Sequence, residues 1–470
     1  MDHPETLTRA PSPAVEPDGV GLTRDASDPS FYTEANREAY LRIHAEDPVY
    51  WVDARYTQPF WNVCRHDLIR EIGQHVELFT TEFGVHLNAA AFDIKTTDAN
   101  PASALPVALR PANVMDAPSH RRVRNPINTK LRPGAVAGLE AAFRAEIRGL
   151  LDQVPLDRPT DFMTAFATRV PLVVTTRLLG VSAEREHDFA TWANIILESF
   201  EPGATPDFQA IGEMVGYFSA EVADRHRNPR EDLITALLHT DLSDDEVVMW
   251  CWLLLVAGIE TTGNLIGAGL DLLLRQPRTL AQLVADPSLI RPAVAEMLRI
   301  VTPGRYIRRT ATEDTEIGGH RIRKGDAVVM NFTVANFDPA TFADPLAFDI
   351  TRRPSEALAF SWGPHRCIGS PVALLESRVA FEELLTRFPN ITSRGPATFR
   401  ASLATAVVEH LPADRAADRA AERAADRAEL SRARRAPPVG RARPATCPRS
   451  CLGRVRGASR RSAGSSHRCG

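Results

Sequence analysis

The sequence predicts a mainly α-helical protein with small β-sheets, an α+β class. Three observations lead there. Helical patterns dominate from Pro118 to Leu274, and the longest opens on "SDDE", a capping box with Ser243 as N-cap and Glu246 reaching back. Two short runs rich in β-branched and aromatic residues, "PVYWV" and "FWNVCR", read as strands near the start. Residues 315–334, "TEIGGHRIRKGDAVVMNFTV", read as strand, turn, strand.

In chain order, residues 1–28 hold Pro, Asp and Thr without period and are expected to be disordered. After the two strands a helical pattern covers Asp67–Gln74. From Gly84 to Pro111 periodicity fades, and a long loop is expected; such loops tend to be functional or mobile. The Ser243 helix continues to Gln276, where Pro277 stops it. Within it "VVMWCWLLLVAGI", Val247 to Ile259, is continuously apolar but shorter than the roughly 20 residues of a bilayer span, and Glu260 ends it, so a buried core helix is expected. After Pro412 the chain turns to "ADRAADRAAERAADRAELSRARR", with like charges four apart, Asp414 over Asp418 and Arg415 over Arg419. A disordered low-complexity tail over 414–470 is expected, with one domain over 29–413. Cys447, Cys451, Cys469 and His467 imitate a zinc set there without a fold to hold it.

Composition narrows the function. The chain has 470 residues, 44% of them hydrophobic and 24% charged, enough for a sizeable core. A net charge of −4 does not suggest a nucleic-acid or membrane partner. Six scattered cysteines read as free thiols in a reducing cytosol, and the polar, proline-rich start has no apolar signal region, so a cytoplasmic location is expected.

The chemistry concentrates in "FSWGPHRCIGSPVALLE", Phe360 to Glu376. Gly363 and Gly369 flank Cys367 and permit a tight turn and close approach to something large and flat. A thiolate ligates soft or borderline metals, haem iron among them. A helix starting after Gly369 would bring its positive end to the sulfur. A structural cysteine in a Gly-rich turn is the alternative. In "AGIETT", Ala257 to Thr262, the Thr261 hydroxyl can bond the Ala257 carbonyl, Gly258 weakens the helix, and a local bulge is expected; Glu260 is an acid in an apolar helix, a candidate proton carrier. "EMLR", Glu296 to Arg299, alone is an ordinary i, i+3 ion pair.

Together these segments resemble the cytochrome P-450 family. The cysteine segment matches its Phe-x-x-Gly-x-His-x-Cys-x-Gly loop at every fixed position, "EMLR" its Glu-x-x-Arg pair, and "AGIETT" its oxygen-activation motif. The resemblance runs from about residue 30 to 413. It implies a haem-thiolate monooxygenase, with haem b lying between the long central helix and the helix after the cysteine, and Cys367 as axial ligand. Phe360, Gly363, Gly369 and Ala257 would contact the haem. Glu260 and Thr261 would relay protons, and Glu296, Arg299 and Arg352 of "FDITRR" would be buried and hold the thiolate loop. His120 and Arg124 of "MDAPSHRRVR", Arg309 of "RTATED" with Arg308 as runner-up, and His365 would meet the haem propionates.

With no Gly-rich dinucleotide fingerprint and no iron–sulfur cysteine cluster, electrons are expected from a separate ferredoxin and its NAD(P)H-dependent reductase. Arg121, Arg122 and Arg366 are the expected docking cations. A monomer acting on O2 and an apolar small molecule of secondary metabolism is expected, in a pocket lined by Leu254, Leu255, Ala257 and the Gly84–Pro111 loop. A peroxide-dependent haem enzyme and a non-catalytic haem-binding protein are the rivals. "SLATAVVEHLP" departs from the family in placing Ala406 and Val407 where Arg-Gly is frequent.

Overall fold

The N-terminal part of the chain contributes short strands between its first helices. In the computed structural model, which describes residues 23–87, 110–155, 158–201, 204–205, 207–352 and 356–415, helix α1 (Arg37–Glu46) leads into β1 (Val49–Val52) and β2 (Phe60–Val63). These are the two expected strands. Then come α2 (His66–Gln74) and β3 (Phe79–Thr80). The helical half follows: α3 (Ser119–Leu131), α4 (Pro133–Ala137), α5 (Glu140–Leu151), a short β4 (Thr160–Asp161), α6 (Arg169–Leu179), α7 (Glu186–Glu198), α8 (Phe208–Arg227), α9 (Leu233–Leu238) and α10 (Asp244–Leu274). Beyond α11 (Pro277–Ala285) and α12 (Ile290–Val301) lie β5 (Tyr306–Ala311), β6 (Thr315–Ile317), β7 (His320–Ile322), β8 (Ala327–Asn331) and α13 (Phe332–Ala335). The segment expected as strand, turn, strand thus holds three short strands and the start of a helix. Last come α14 (Ser370–Arg387), β9 (Ile391–Ser393), β10 (Thr398–Arg400), β11 (Val407–His410) and β12 (Pro412–Arg415).

Helix α10 organises the helical half. Its capping box is formed: the Glu246 N–H donates to Ser243 Oγ at 3.3 Å and the Ser243 N–H to Glu246 Oε2 at 2.9 Å. Helices α6, α7, α8, α12 and α14 pack around it. By length and composition it could cross a membrane, yet 67% of its most apolar window is buried inside the protein. A core position accounts for that hydropathy.

The larger sheet has strand order β1-β2-β8-β5-β3, antiparallel except for the β2–β8 pair. It is buried on both faces. In β8, Ala327 and Val329 enter one apolar cluster while Val328 and Met330 enter another, the two-residue period of a strand. Strand β12 lies between β4 and β9, and β10 pairs with β11.

Both expected domain boundaries move outward. Ala26 and Ser27 are fully buried, and the Ser27 N–H donates to Asp25, so packed chain starts by Thr23 rather than at 29. At the other end Asp414, the first residue of the expected tail, is fully buried in β12 and paired with Arg394. The Ala/Arg repeat begins inside a strand whose partners lie elsewhere in the chain. The remainder of the tail, with Cys447, Cys451, His467 and Cys469, lies outside the described residues, as do residues 1–22 and positions 88–109 of the Gly84–Pro111 loop.

Candidate active site

The cysteine loop is held by its own backbone and by α2. Ser361 and Gly363 take positive φ, 61° and 80°, and the Cys367 N–H donates to the Phe360 carbonyl at 2.8 Å. A Cβ on Gly363 would stand 1.9 Å from the Gly73 carbonyl oxygen of α2. Gly363 therefore serves contact with α2 and does not line the cavity, a correction to its expected place against the haem. Gly369 does line the cavity, with a hypothetical Cβ in ordinary contact with Cys367 Sγ at 3.9 Å. Burial pushes the Cys367 thiol up; the Gly369 N–H, Arg124, Arg366 and the Ser370 N–H pull it down. Backbone donors and a helix N-terminus thus address the sulfur as the glycine spacing suggested.

Cys367 opens onto a cavity between this loop and α10, in two adjoining lobes of about 260 and 290 Å³ that share Ala257, Thr261, Phe360 and Cys367. Leu254, Gly258 and Glu376 line the first; His86, Trp252, Arg309 and His365 line the second. Leu255 was expected on this wall and is instead fully buried in the helical core. On α10 the first lobe is lined by positions 253, 254, 257, 258, 261, 262 and 265 and the second by 250, 252, 253, 256, 257 and 261, and Leu255 belongs to neither set.

Arg124, Arg309 and His365 line the second lobe, and His120 stacks against His365 without lining it. Arg309 is fully buried, and its Nε, Nη1 and Nη2 have no partner among the described residues. Burial lowers it to about 10, with Asp116 opposing. Unpaired buried guanidinium nitrogens are costly, so a ligand's negative charge is the expected complement. Arg308 is just as buried; its Nη1 donates to the Phe83 carbonyl, its Nε and Nη2 have no partner among the described residues, and it does not line the cavity. The His120 and His365 rings stack at 3.9 Å, and His120 Nε2 also has no partner among the described residues. Burial and neighbouring cations keep both neutral, His120 at about 4 and His365 lower still. Arg124 lines the lobe and donates to the Arg366 carbonyl. Two guanidinium groups and two imidazoles beside a thiol suit a flat dianionic group with a metal at its centre, and the residues present therefore fit haem.

In α10 the Thr261 hydroxyl donates to the Ala257 carbonyl at 2.8 Å. The helix runs unbroken through this point, so the expected bulge is absent. The threonine satisfies a carbonyl that already belongs to an intact helical ladder. Glu260 does not itself line the cavity, but it bonds Thr405, which does. Its Oε1 lies 3.7 Å from Arg400 Nη2, and its Oε2 has no partner among the described residues. Burial pushes its carboxyl up to about 7; Arg400 opposes, Glu201 and Glu198 add to the rise, and a hydrogen bond with Thr405 lowers it.

Glu296, Arg299 and Arg352 meet as expected. Both carboxylate oxygens of Glu296 accept from Arg299, at 2.7 and 2.8 Å, and Oε1 accepts from Arg352 at 3.1 Å. Arg299 also donates to the carbonyls of Asn336, Pro345 and Ala347. Asn336 Oδ1 in turn accepts the Leu358 N–H at 2.7 Å, just before Phe360. The triad reaches the thiolate loop through Asn336.

Three long-range contacts escaped sequence reading. Arg400 of β10 neighbours Glu260 across a long gap in the chain. Glu376 lies nine residues after Cys367, lines the cavity, bonds Thr262 and is pushed by burial up to about 8; its place on the helix face after Cys367 was the available signal. Glu246 binds Arg122 through both its oxygens. That contact ties α3 to the start of α10 while the Arg122 side chain stays exposed. Arg121 and Arg366 are exposed.

The family model described as Cytochrome P450 matches residues 284–398. Linalool 8-monooxygenase of Pseudomonas putida is 32% identical over 375 residues, which cover 77% of this chain and 91% of that protein. 6-Deoxyerythronolide B hydroxylase of Saccharopolyspora erythraea is 34% identical over 63% of this chain and 76% of its own. Among solved structures, CYP108D1 from Novosphingobium aromaticivorans superposes with a TM-score of 0.75 at 28% identity, covering 83% of this chain and 97% of that one. P450BioI in complex with an acyl carrier protein ligated to hexadec-9Z-enoic acid gives 0.73 at 28% identity, covering 82% and 100%.

Proposed function

The chain belongs to the cytochrome P450 family, whose members hold haem through a cysteine thiolate, and from that premise we propose that Cys367 is its haem ligand and that Glu260 and Thr261 deliver its protons. The protein is a monooxygenase: it takes O2, a small-molecule substrate and electrons from a redox partner. The observation that carries the ligand assignment is the Cys367 sulfur on the same cavity as the unpaired, buried Arg309. His120, Arg124, Arg309 and His365 would hold the propionates, with Phe360, Ala257 and Gly369 on the cavity wall. Residues 23–415 would form the haem domain.

Bound haem supplies the iron at which O2 is activated. The protein's own residues exclude water and move protons. Thr261 presents its oxygen to the cavity with its hydroxyl hydrogen held by Ala257, so the oxygen is free to accept a bond there. Glu260, the preceding residue, is near its midpoint at neutral pH, where a proton carrier works best. Thr261→Ala is expected to keep haem and substrate binding and to divert most consumed NADH to hydrogen peroxide. Product per NADH measured against wild type checks this, and an unchanged ratio would sink the assigned role.

Leu253, Leu254, Val256 and Phe200 give the cavity apolar walls, which supports a substrate of terpenoid, steroid, fatty acyl or polyketide character, in keeping with the names of the relatives. A spin-shift screen over such compounds identifies it. The electron donor is an acidic ferredoxin with its NAD(P)H-dependent reductase, and the setting is cytoplasmic. Exposed Arg121 steers the encounter. Arg121→Glu is expected to raise the apparent KM for ferredoxin a few-fold at low salt, and the effect should shrink over the ~8 Å screening length of physiological ionic strength. A KM indifferent to both the substitution and salt would place the donor elsewhere.

A further inference from the structure

Arg400 stands between two carboxylates on different helices. Its Nη1 donates to Glu198 Oε1 of α7 at 2.9 Å, and its Nη2 lies 3.7 Å from Glu260 Oε1 of α10. The two contacts are unequal in environment. The Glu260 side chain is 11% exposed and that of Glu198 is 56% exposed, so the deeper acid has the longer contact and the solvated acid the shorter one. Arg400 Nε and Glu260 Oε2 have no partner among the described residues. The same end of α7 is fastened to the following loop: Glu201 accepts from Ser402 Oγ and from the Leu403 N–H. Phe200, between these two acids, lines the second lobe of the cavity and stacks on His86 at 4.0 Å.

We propose that Arg400 is a positioning residue for Glu260, shared with Glu198, so that the end of α7 decides how much of this cation the buried acid feels. The proposal rests on the reading of Glu260 as proton carrier and adds a control to it. When α7 holds Arg400 through Glu198, Glu260 keeps its proton to higher pH. When that hold loosens, Arg400 turns wholly to Glu260 and favours the carboxylate. Because Phe200 touches the cavity and its neighbours hold the Arg400 loop, cavity filling and proton supply share one mechanical link. The groups that face Glu260 are Arg400 from β10, Glu198 from the end of α7, Glu201 from the segment just after it, and Thr405 from the loop before β11.

The direction of each change follows from charge. Removing a cation disfavours the ionised acid, and removing a nearby anion favours it. The test uses the full-length haem-loaded protein and the infrared carbonyl band of protonated Glu260, identified as the band lost in Glu260→Gln. Its disappearance with rising pH is followed. In wild type the midpoint is expected at about 7. Arg400→Gln should raise it by about 1 unit or more, the size of effect an opposite charge has at this range, and Glu198→Gln should lower it. Arg400→Lys should return it towards wild type, which separates charge from shape. If Arg400 only pins β10 to α7, both Arg400 variants lose thermal stability and the midpoint stays in place; that outcome overturns the proposal. So does a spectrum in which Glu260→Gln removes no band. The reduced carbon monoxide spectrum of the same preparations tests the Cys367 assignment separately. Its failure leaves the titration readable, and midpoints that move as stated support the Arg400 pairing in either case.

Discussion

Replacing Cys367 by histidine is expected to abolish the red-shifted Soret band of the reduced carbon monoxide complex completely, while the fold survives. The band reports a thiolate on the iron, and an imidazole does not reproduce the electron donation of sulfur. Among the described residues no other free cysteine can substitute: Cys64 and Cys251 are buried, and burial pushes both thiols far up. The fold should tolerate the change because the loop is held by backbone bonds, by the Gly363–Gly73 contact and by Asn336, none of which uses the sulfur. Circular dichroism establishes the fold and the difference spectrum establishes the ligand. Survival of the band in Cys367→His would falsify the ligand assignment.

Glu296→Ala is expected to cost on the order of 3–5 kcal/mol, the usual penalty for leaving one partner of a buried ion pair alone. Glu296 and Arg299 are both 0% exposed, and no water can take up the abandoned charge. Arg352 would lose its carboxylate as well. A domain is stable by only about 5–15 kcal/mol, so the loss is a large share of the total. Because the Asn336 carbonyl and side chain join Arg299 to Leu358, disorder should spread to the thiolate loop and lower haem content. Glu296→Gln keeps an acceptor and should fall between. Urea unfolding and haem content per protein measure both effects. A midpoint shift equivalent to less than about 1 kcal/mol would mean that the surroundings can accommodate a lone Arg299.

What the sequence made legible was local. The Ser243 box, the tight turn around Cys367 and the Thr261 hydroxyl on the Ala257 carbonyl all act over one helical turn or one tight loop, and these local contacts appear in the structure. What stayed hidden depends on residues far apart. Nothing near Arg400 announces Glu260, and nothing near Arg122 announces Glu246. Gly363 looked like a glycine placed for a flat ligand because its neighbour in space, Gly73, is invisible in the local text. The tail boundary failed for the same reason. "ADRAADRA" repels itself as a helix, but its first residues are a strand between β4 and β9, and Asp414 finds Arg394. The bulge in α10 failed differently: Gly258 does weaken a helix, but the packing of α6, α7, α8, α12 and α14 against α10 outweighs a penalty of about 1 kcal/mol.

The contact between Gly363 and Gly73 also sets an order of events during synthesis. The two glycines are 290 residues apart in the chain. At about 5–20 residues per second, a ribosome needs roughly 15–60 s between making one and making the other. For that interval α2 is already outside the ribosome with its Gly73 face uncovered, and α10 follows with an apolar flank awaiting α12 and α14. The nascent chain therefore holds its histidine–arginine helix long before its thiol, and any haem it meets early finds cations and no ligand. Ligation through Cys367 can come only after this interval, and a pause or cleavage between α10 and α14 would leave a fragment without the thiol.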